Sequence, residues 1–463
     1  MLTIKAPFHD CQSEIKWTVD VIFNQFLGLT YTLVFENIDF FMIEFNGNSI
    51  KLNDSYFKSI ANNWGADFEL PDLPLKTINI KCFSKNIKTI DEKLPILFGA
   101  DVYEPIQGRV ELDIFGSIFF MLSRIEEYTN RNKDEFGRFK TVESFAFKAG
   151  FYSRPIVDEY IEVLWYLLVN HLHVSARKKR EKSILVTCDV DIPYSPSSYS
   201  FVKGLKTAAA DIIKRKNFKL SILNLANTCL SPLGIYKFDP NDSFEFIMSI
   251  NERFSNKVAF YFITDSLNNK MDGDVFIHNK RIKDLLSELS VRGHEVGIHP
   301  SYETYLNEEQ LSKEVLILKE KLKSIDLPVD AIGGRQHYLR WDAGVTPGIW
   351  NNCGLVYDSS IGFPDIIGFR CGTSHSYTMY DLKNRKSLRL IQRPLILMDS
   401  TIFGYLGLEL NQDTLLKVRT LKERCFLFDG CFTLLWHNNY LVTNKQKYFY
   451  SEIIKSDSFI EKI

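Results

Sequence analysis

The apolar and polar positions change their pattern near residue 181. Just beyond it, Ser183-Ile184-Leu185-Val186-Thr187-Cys188 is a short continuous apolar run, which predicts a strand buried on both faces. Lys257 to Thr264 predicts a second strand, Glu295 to Ile298 a third, and Ala331-Ile332 the start of another. Between them, Asn279 to Ser290 carries a helical stripe stopped by Arg292-Gly293. Asn307 to Ile325 carries another, with Asn307 as cap and Glu308 and Glu309 in its first turn. Strands alternating with helices predict a parallel sheet or barrel with helices outside.

The first half reads differently. Thr30 to Phe35 and Phe40 to Phe45 predict strands, and Asn46-Gly47-Asn48 a turn. Ile114, Ile118, Met121, Leu122 and Ile125 recur at helical spacing and predict one helix over 113–128. Asp134 to Phe139 reads as a loop, and Pro155 to His171 as a helix with proline at its start. The expectation is an α+β domain over 1–181, carrying no catalytic group, and an α/β domain over 182–463 that folds by itself from about Lys182. The join is the basic run Ala176 to Lys182, which lacks the interleaved aromatics of a nucleic-acid patch and reads as a solvated linker. A long insert, Ile192 to Asn256, holds a helix bearing Lys203, Lys206, Lys214, Arg215 and Lys216. It reads as a solvated basic face or, less simply, a site for an acidic ligand.

Composition changes this picture in three places. Fifty-six basic residues against 57 acidic give a net charge of −1, so nothing global favours nucleic acid. The eight cysteines are scattered over 463 residues with no C-x-x-C pair, which reads as incidental thiols rather than a disulfide framework. No apolar run approaches the ~20 residues of a membrane span, and the first ten residues show no secretory apolar core. A soluble, cytoplasmic protein is expected, and a homo-oligomer is left open. The 36 Phe and 21 Tyr suit dense cores or stacking on sugars alike.

Candidate chemistry gathers where strands of the second half end. Thr187-Cys188-Asp189-Val190-Asp191 puts two aspartates on one face, which repel unless a cation or proton is shared. Gly293-His294-Glu295-Val296-Gly297-Ile298-His299 ends in His299, while His294 faces the other way and reads as structural. Arg335-Gln336-His337-Tyr338 spaces Arg335 and His337 two apart. An apolar strand from Cys431 ends at His437. Four such ends in one half argue for a shared site at a barrel mouth.

In this order and context the series resembles the polysaccharide deacetylases with NodB homology, carbohydrate esterase family 4, over roughly residues 183–445. The resemblance implies a distorted (β/α) barrel of the polysaccharide deacetylase type, and the first half resembles an accessory domain that precedes such barrels. It also implies a divalent metal, zinc or a similar ion, and a saccharide substrate from which an N-acetyl group is removed. The series departs from the family at three points. Val190 separates the aspartates; Glu303 stands four residues after His299, where a second histidine belongs; and His337 replaces a proline. Asp191, His299 and His337 are therefore the expected metal ligands, with Glu303 as the alternative third. The implied roles follow. Asp189 is the general base, held by Arg335, and His437 protonates the leaving amine. Asp399 orients the acid. The Tyr338 N–H meets the oxyanion, Leu435 and Trp436 wall the acetyl pocket, and Arg370 contacts the saccharide. A metal-free or differently targeted amidohydrolase, and a saccharide-binding protein without catalysis, remain as rival readings.

Overall fold

The computed structural model describes residues 1–61, 63–65, 70–84 and 86–455. The first half contains a six-stranded mixed sheet built from β1 (Leu2–Pro7), β2 (Tyr31–Glu36), β3 (Phe40–Phe45) and β4 (Asn48–Asn53). A small pair, β5 (Thr77–Asn79) and β6 (Lys93–Pro95), stands apart, and β7 (Gly99–Glu104) and β8 (Arg109–Leu112) complete the sheet in the order β2-β1-β3-β4-β8-β7. The β3–β4 hairpin turns through Asn46 and Gly47, both at positive φ (50° and 83°), the backbone twist that a two-residue hairpin favours.

The helix expected over 113–128 is instead two, Ile114–Ser123 and Ile125–Thr129, broken at Arg124 with φ 58°. Side-chain chemistry overrides the hydrophobic period here. The buried Arg124 guanidinium reaches the Met121 carbonyl, Glu127 Oε1 at 2.9 Å and Glu126, and a continued helix could not present it to all three.

The second half contains β9 (Ser183–Val190), β10 (Lys257–Phe262), β11 (Glu295–Ile298), β12 (Tyr357–Asp358), β13 (Tyr377–Asp381), β14 (Lys386–Gln392), β15 (Leu397–Met398) and β16 (Cys431–Leu435). Five of these run parallel in the order β11-β10-β9-β16-β15. The strand expected at Ala331-Ile332 is reduced to single bridges, Gly334 pairing with Ile298 on one side and Asp358 on the other. Only glycine fits there, because a Cβ on Gly334 would stand 1.9 Å from the Ile298 carbonyl oxygen. The β12 strand, paired to β14 and then β13, continues the array.

This array is strongly curled. Gly334 lies three strand spacings from β9, roughly 14 Å on a flat sheet at ~4.8 Å per strand. Yet the next residue, Arg335, donates to Asp189 on β9 at 2.8 Å. The architecture is a curled, largely parallel sheet with helices outside, and among the described residues no strand pairing joins its two ends.

The two halves share one hydrophobic core. Trp17 packs edge-on to Phe119 and Tyr377 and donates to the Thr378 carbonyl at 2.9 Å. Tyr380 donates to Glu14 at 2.6 Å, and Tyr377 to the Leu122 carbonyl at 2.9 Å. Arg370 belongs to this seam. Its guanidinium grips Glu127 with two bonds of 2.9 and 2.6 Å and caps the Gly362 carbonyl, with about 1% of the residue exposed. Burial alone would raise the Glu127 carboxyl, but Arg370 and Arg124 hold it below the ordinary range. Arg370 is thus a strut between the halves and not the saccharide contact expected for it.

Removing one partner of such a pair leaves a buried charge uncompensated, at a cost of about 3–5 kcal/mol. Arg370→Met should therefore lower the melting temperature in a thermal scan. A chain starting at Lys182, which the sequence alone presents as a folding unit, should be recovered unfolded or aggregated, because it exposes the face that Trp17, Phe119 and Leu122 cover.

Candidate metal centre

Strand register sets the height of each group at the carboxyl end of the sheet. Val190 pairs with Phe262 and Phe262 with Ile298, so the next residues out, Asp191 and His299, stand level. Gly334 pairs with Ile298, which brings Arg335 to that level, and Leu435 pairs with Thr187, which puts His437 one pleat from Asp189. The curl then turns these side chains toward one another. Asp191 Oδ1 lies 3.1 Å from His299 Nε2 and 3.8 Å from His337 Nε2, and Asp191 Oδ2 lies 3.6 Å from His437 Nε2. One ligand atom from each of Asp191, His299 and His337 falls within 4.8 Å of the others, the metal-ligand group present among the described residues.

The donor chemistry of this trio fits a cation. His299 Nδ1 donates to the Arg335 carbonyl at 2.6 Å, and a carbonyl can only accept, so the ring proton sits on Nδ1. His337 Nδ1 is bound to Asp272 Oδ1 at 2.8 Å in the same way. Both Nε2 atoms then face inward. Asp191 Oδ1 is buried and accepts no hydrogen bond. Donor atoms from two imidazoles and one carboxylate that converge within 4.8 Å are a set that suits zinc or a similar divalent ion. Burial would raise the Asp191 carboxyl, yet the imidazoles of His337, His299 and His437 hold it well below the usual carboxylate range. Burial would likewise lower His299, but Asp189 and Asp191 raise it. A cation entering here displaces protons, as metal binding to imidazoles does generally.

Two further pairs flank the trio. Arg335, fully buried, donates to Asp189 Oδ1 at 2.8 Å, to Thr187 Oγ1 at 2.7 Å, and to the Ser359 carbonyl and hydroxyl at 2.8 and 2.9 Å. Asp189 Oδ2 stays turned to the trio, 3.8 Å from His299 Nε2. His437 is held from below by Asp399, whose Oδ2 accepts the His437 backbone N–H at 2.6 Å and whose Oδ1 meets Nδ1 at 2.8 Å. Burial would lower the His437 imidazole, but Asp399 outweighs it, Asp191 and Asp189 add to the effect, and the group is pushed up to about 10.

The structure thus brings together Asp189, Asp191, His299, Arg335, His337, Asp399 and His437. Leu435 also faces this side, packed with Leu339, Leu395 and Met398. Tyr338 sits on the rim at φ 60°, its ring 5.2 Å from Phe136 of the Asp134–Phe139 loop and 5.3 Å from Tyr302. That loop is the part of the first half that reaches the mouth, and Arg138 donates to the Tyr338 carbonyl at 3.3 Å.

Two expected residues stand elsewhere. Trp436 alternates with Leu435 along the strand, so it points to the opposite face, where it packs on Phe403, Phe449 and Tyr450. It walls no acetyl pocket. Glu303 pairs with Arg340 at 3.3 Å with its side chain 45% exposed, and it lies outside the trio. Sequence reasoning missed Asp272 and Ser359. Asp272 comes from a short helix, Asn269–Asp272, where nothing local distinguishes it from a capping acid. Besides His337, it accepts the Tyr302 N–H at 2.7 Å and the Ser266 hydroxyl at 2.9 Å.

Residues 3–173 match a family of unknown function, DUF7033. No curated protein matches the sequence. Among solved structures, the chain is similar to a "putative polysaccharide deacetylase from Mycobacterium smegmatis" at 16% identity, with a TM-score of 0.37, over 61% of this chain and 87% of the other. It is similar to PuuE allantoinase at 13% identity, with a TM-score of 0.35, over 61% and 84%. A "probable polysaccharide deacetylase from Pseudomonas aeruginosa PAO1" follows at 12% identity, with a TM-score of 0.35, over 59% and 83%.

Metal content of the purified protein, measured on single variants, checks the ligand set. His337→Ala should lose the ion and Glu303→Ala should keep it. Asp272→Asn should weaken binding by about 10–100-fold, because it loosens the tautomer and orientation of His337 without removing a ligand.

Proposed function

We propose that the protein is a metal-dependent hydrolase that removes an N-acetyl group from a saccharide. The observation that carries this reading is the flanking of one candidate metal trio by two differently held groups, a carboxylate locked by an arginine and an imidazole locked by a carboxylate. That is the division of labour amide hydrolysis needs: one group to take a proton and one to give it.

Asp191, His299 and His337 would hold the ion. A divalent cation held there would supply Lewis acidity toward the scissile carbonyl and the attacking water. Asp189 accepts a proton of that water at Oδ2, since Oδ1 is occupied by Arg335. The same bond fixes the orientation of the carboxylate. His437 carries its donatable proton on Nε2, because Nδ1 is engaged by Asp399, and delivers it to the departing amine. The Tyr338 N–H, on the turn after His337, would meet the developing oxyanion. Leu435, Leu339, Leu395 and Met398 form an apolar patch suited to a methyl group. The aromatic rim of Tyr338, Phe136 and Tyr302 offers a surface for a sugar face.

Acetate release from small N-acetylated sugars and oligosaccharides tests this. Asp189→Asn should lower kcat by about 10²–10⁴-fold while the ion is retained, because the amide is nearly isosteric but cannot take the proton. Loss of the ion in that variant would make Asp189 a ligand. Absence of acetate release by metal-loaded wild-type protein from any acetylated saccharide would exclude the reading.

A further inference from the structure

The insert after Asp191 forms a helical hairpin whose packing is inverted. Its helices, Phe201–Ile213 and Phe218–Leu230, face each other through small and polar residues. Asp211, Ser221, Asn224, Asn227 and Thr228 are buried. Asn224 Nδ2 donates to Asp211 at 2.8 Å, Asn224 Oδ1 accepts from the Ser195 hydroxyl at 2.7 Å, and Asn227 Nδ2 donates to Ser197 at 2.8 Å. A Cβ on Gly204 would stand 2.1 Å from Thr228 Oγ1, so the helices meet at a glycine. The apolar side chains point outward instead. Phe201 is 59% exposed, Ile213 75%, and Phe218 and Ile222 67% each.

These exposed residues are ordered. On the first helix Phe201, Val202, Leu205, Ile212 and Ile213 fall within roughly 120° of arc at 100° per residue, with Lys206 at its margin. On the second, Phe218, Ile222 and Leu225 form one stripe with Lys219 beside it. Across residues 201–230 the only acid is Asp211, which is buried against Arg215, while Lys203, Lys206, Lys214, Arg215, Lys216 and Lys219 are all exposed. A helix pair in water buries its apolar stripe. A pair in an apolar medium joins through small and polar residues and turns that stripe outward.

We propose that this hairpin is an in-plane membrane anchor that seats the protein on a bilayer carrying anionic headgroups. The apolar stripes enter the acyl boundary and the flanking lysines meet the headgroup charge, the combination that interfacial helices use. Each helix has 13 residues, and no helix among the described residues is long and apolar enough to cross a membrane. The hairpin therefore lies on the bilayer. It is rooted through Ser195 and Ser197, a few residues beyond Asp191, so the anchored edge adjoins the mouth of the sheet.

Co-sedimentation of the full chain with vesicles tests this, comparing phosphatidylcholine alone with phosphatidylcholine mixed with phosphatidylglycerol. The protein should bind the mixed vesicles, and about tenfold more weakly at high salt or on phosphatidylcholine alone. Phe218→Ser with Ile222→Ser should weaken binding by about tenfold or more, and so should Lys214→Glu with Lys216→Glu. Either double variant suffices if the other misfolds. Absence of binding to the mixed vesicles overturns the proposal. So does a lipid-free dimer, measured by light scattering, that Phe218→Ser with Ile222→Ser dissociates, since the face then serves a second copy of this chain. The assay needs no turnover, so its failure leaves the hydrolase reading intact.

Discussion

A guanidinium with no access to water must find its full set of acceptors inside the protein, and Arg335 organises the mouth of the sheet by doing so. It reaches a carboxylate and a hydroxyl on β9, a carbonyl and a hydroxyl on Ser359, and through its own carbonyl the Nδ1 proton of His299. Those partners come from three strands that a flat sheet would hold far apart. The pair with Asp189 is no simple gain in stability, because desolvating both charges offsets most of their attraction. Its value is geometric. Given a buried arginine, only one curl and one register satisfy all its donors, and that register sets Asp191 level with His299.

Much of this was legible in the sequence. Strands ending in Asp189-Val190-Asp191, His299, Arg335-Gln336-His337 and His437 announce themselves, because apolar runs and a two-residue period are local properties. Arg335 and His337 do share the interior, although the chain there is a bridge and a short turn rather than the strand expected. Alternation should also have separated Leu435 from Trp436, whose opposite orientations follow from the same period. Asp272, Ser359 and the Arg370–Glu127 strut were not legible. Each depends on contacts between distant segments, and a single sequence carries no local trace of them. The broken helix at Arg124 fails for the same reason, since its partners decide its backbone.

The seam between the halves bears on how the site is held. Had the first half been an appended module, its loss would leave the mouth unchanged. Instead Trp17, Glu14 and Glu127 supply buried partners to the β13–β14 hairpin and to the 362–374 segment. The Asp134–Phe139 loop delivers Phe136 and Arg138 to the turn that carries Tyr338. Tyr338 and Leu339 both sit at positive φ, a conformation that costs side chains about 1–3 kcal/mol each unless the surroundings enforce it. Contacts from the first half are part of that enforcement, so the acceptor side of the mouth is shaped by both halves.

One rule reads both the mouth and the hairpin. A folded chain pairs its buried polar groups and buries its apolar ones, so whatever it leaves over describes what it is built to meet. At the mouth, nearly every buried charge is paired, and the remainder is a carboxylate oxygen beside two imidazole nitrogens, which calls for a cation. In the hairpin, Asp211, Ser221, Asn224 and Thr228 are paired inside, and the remainder at the surface is apolar and edged with lysines, which calls for an apolar medium bounded by negative charge. The carboxylate of the first remainder, Asp191, and the whole of the second lie on one connection leading out of β9.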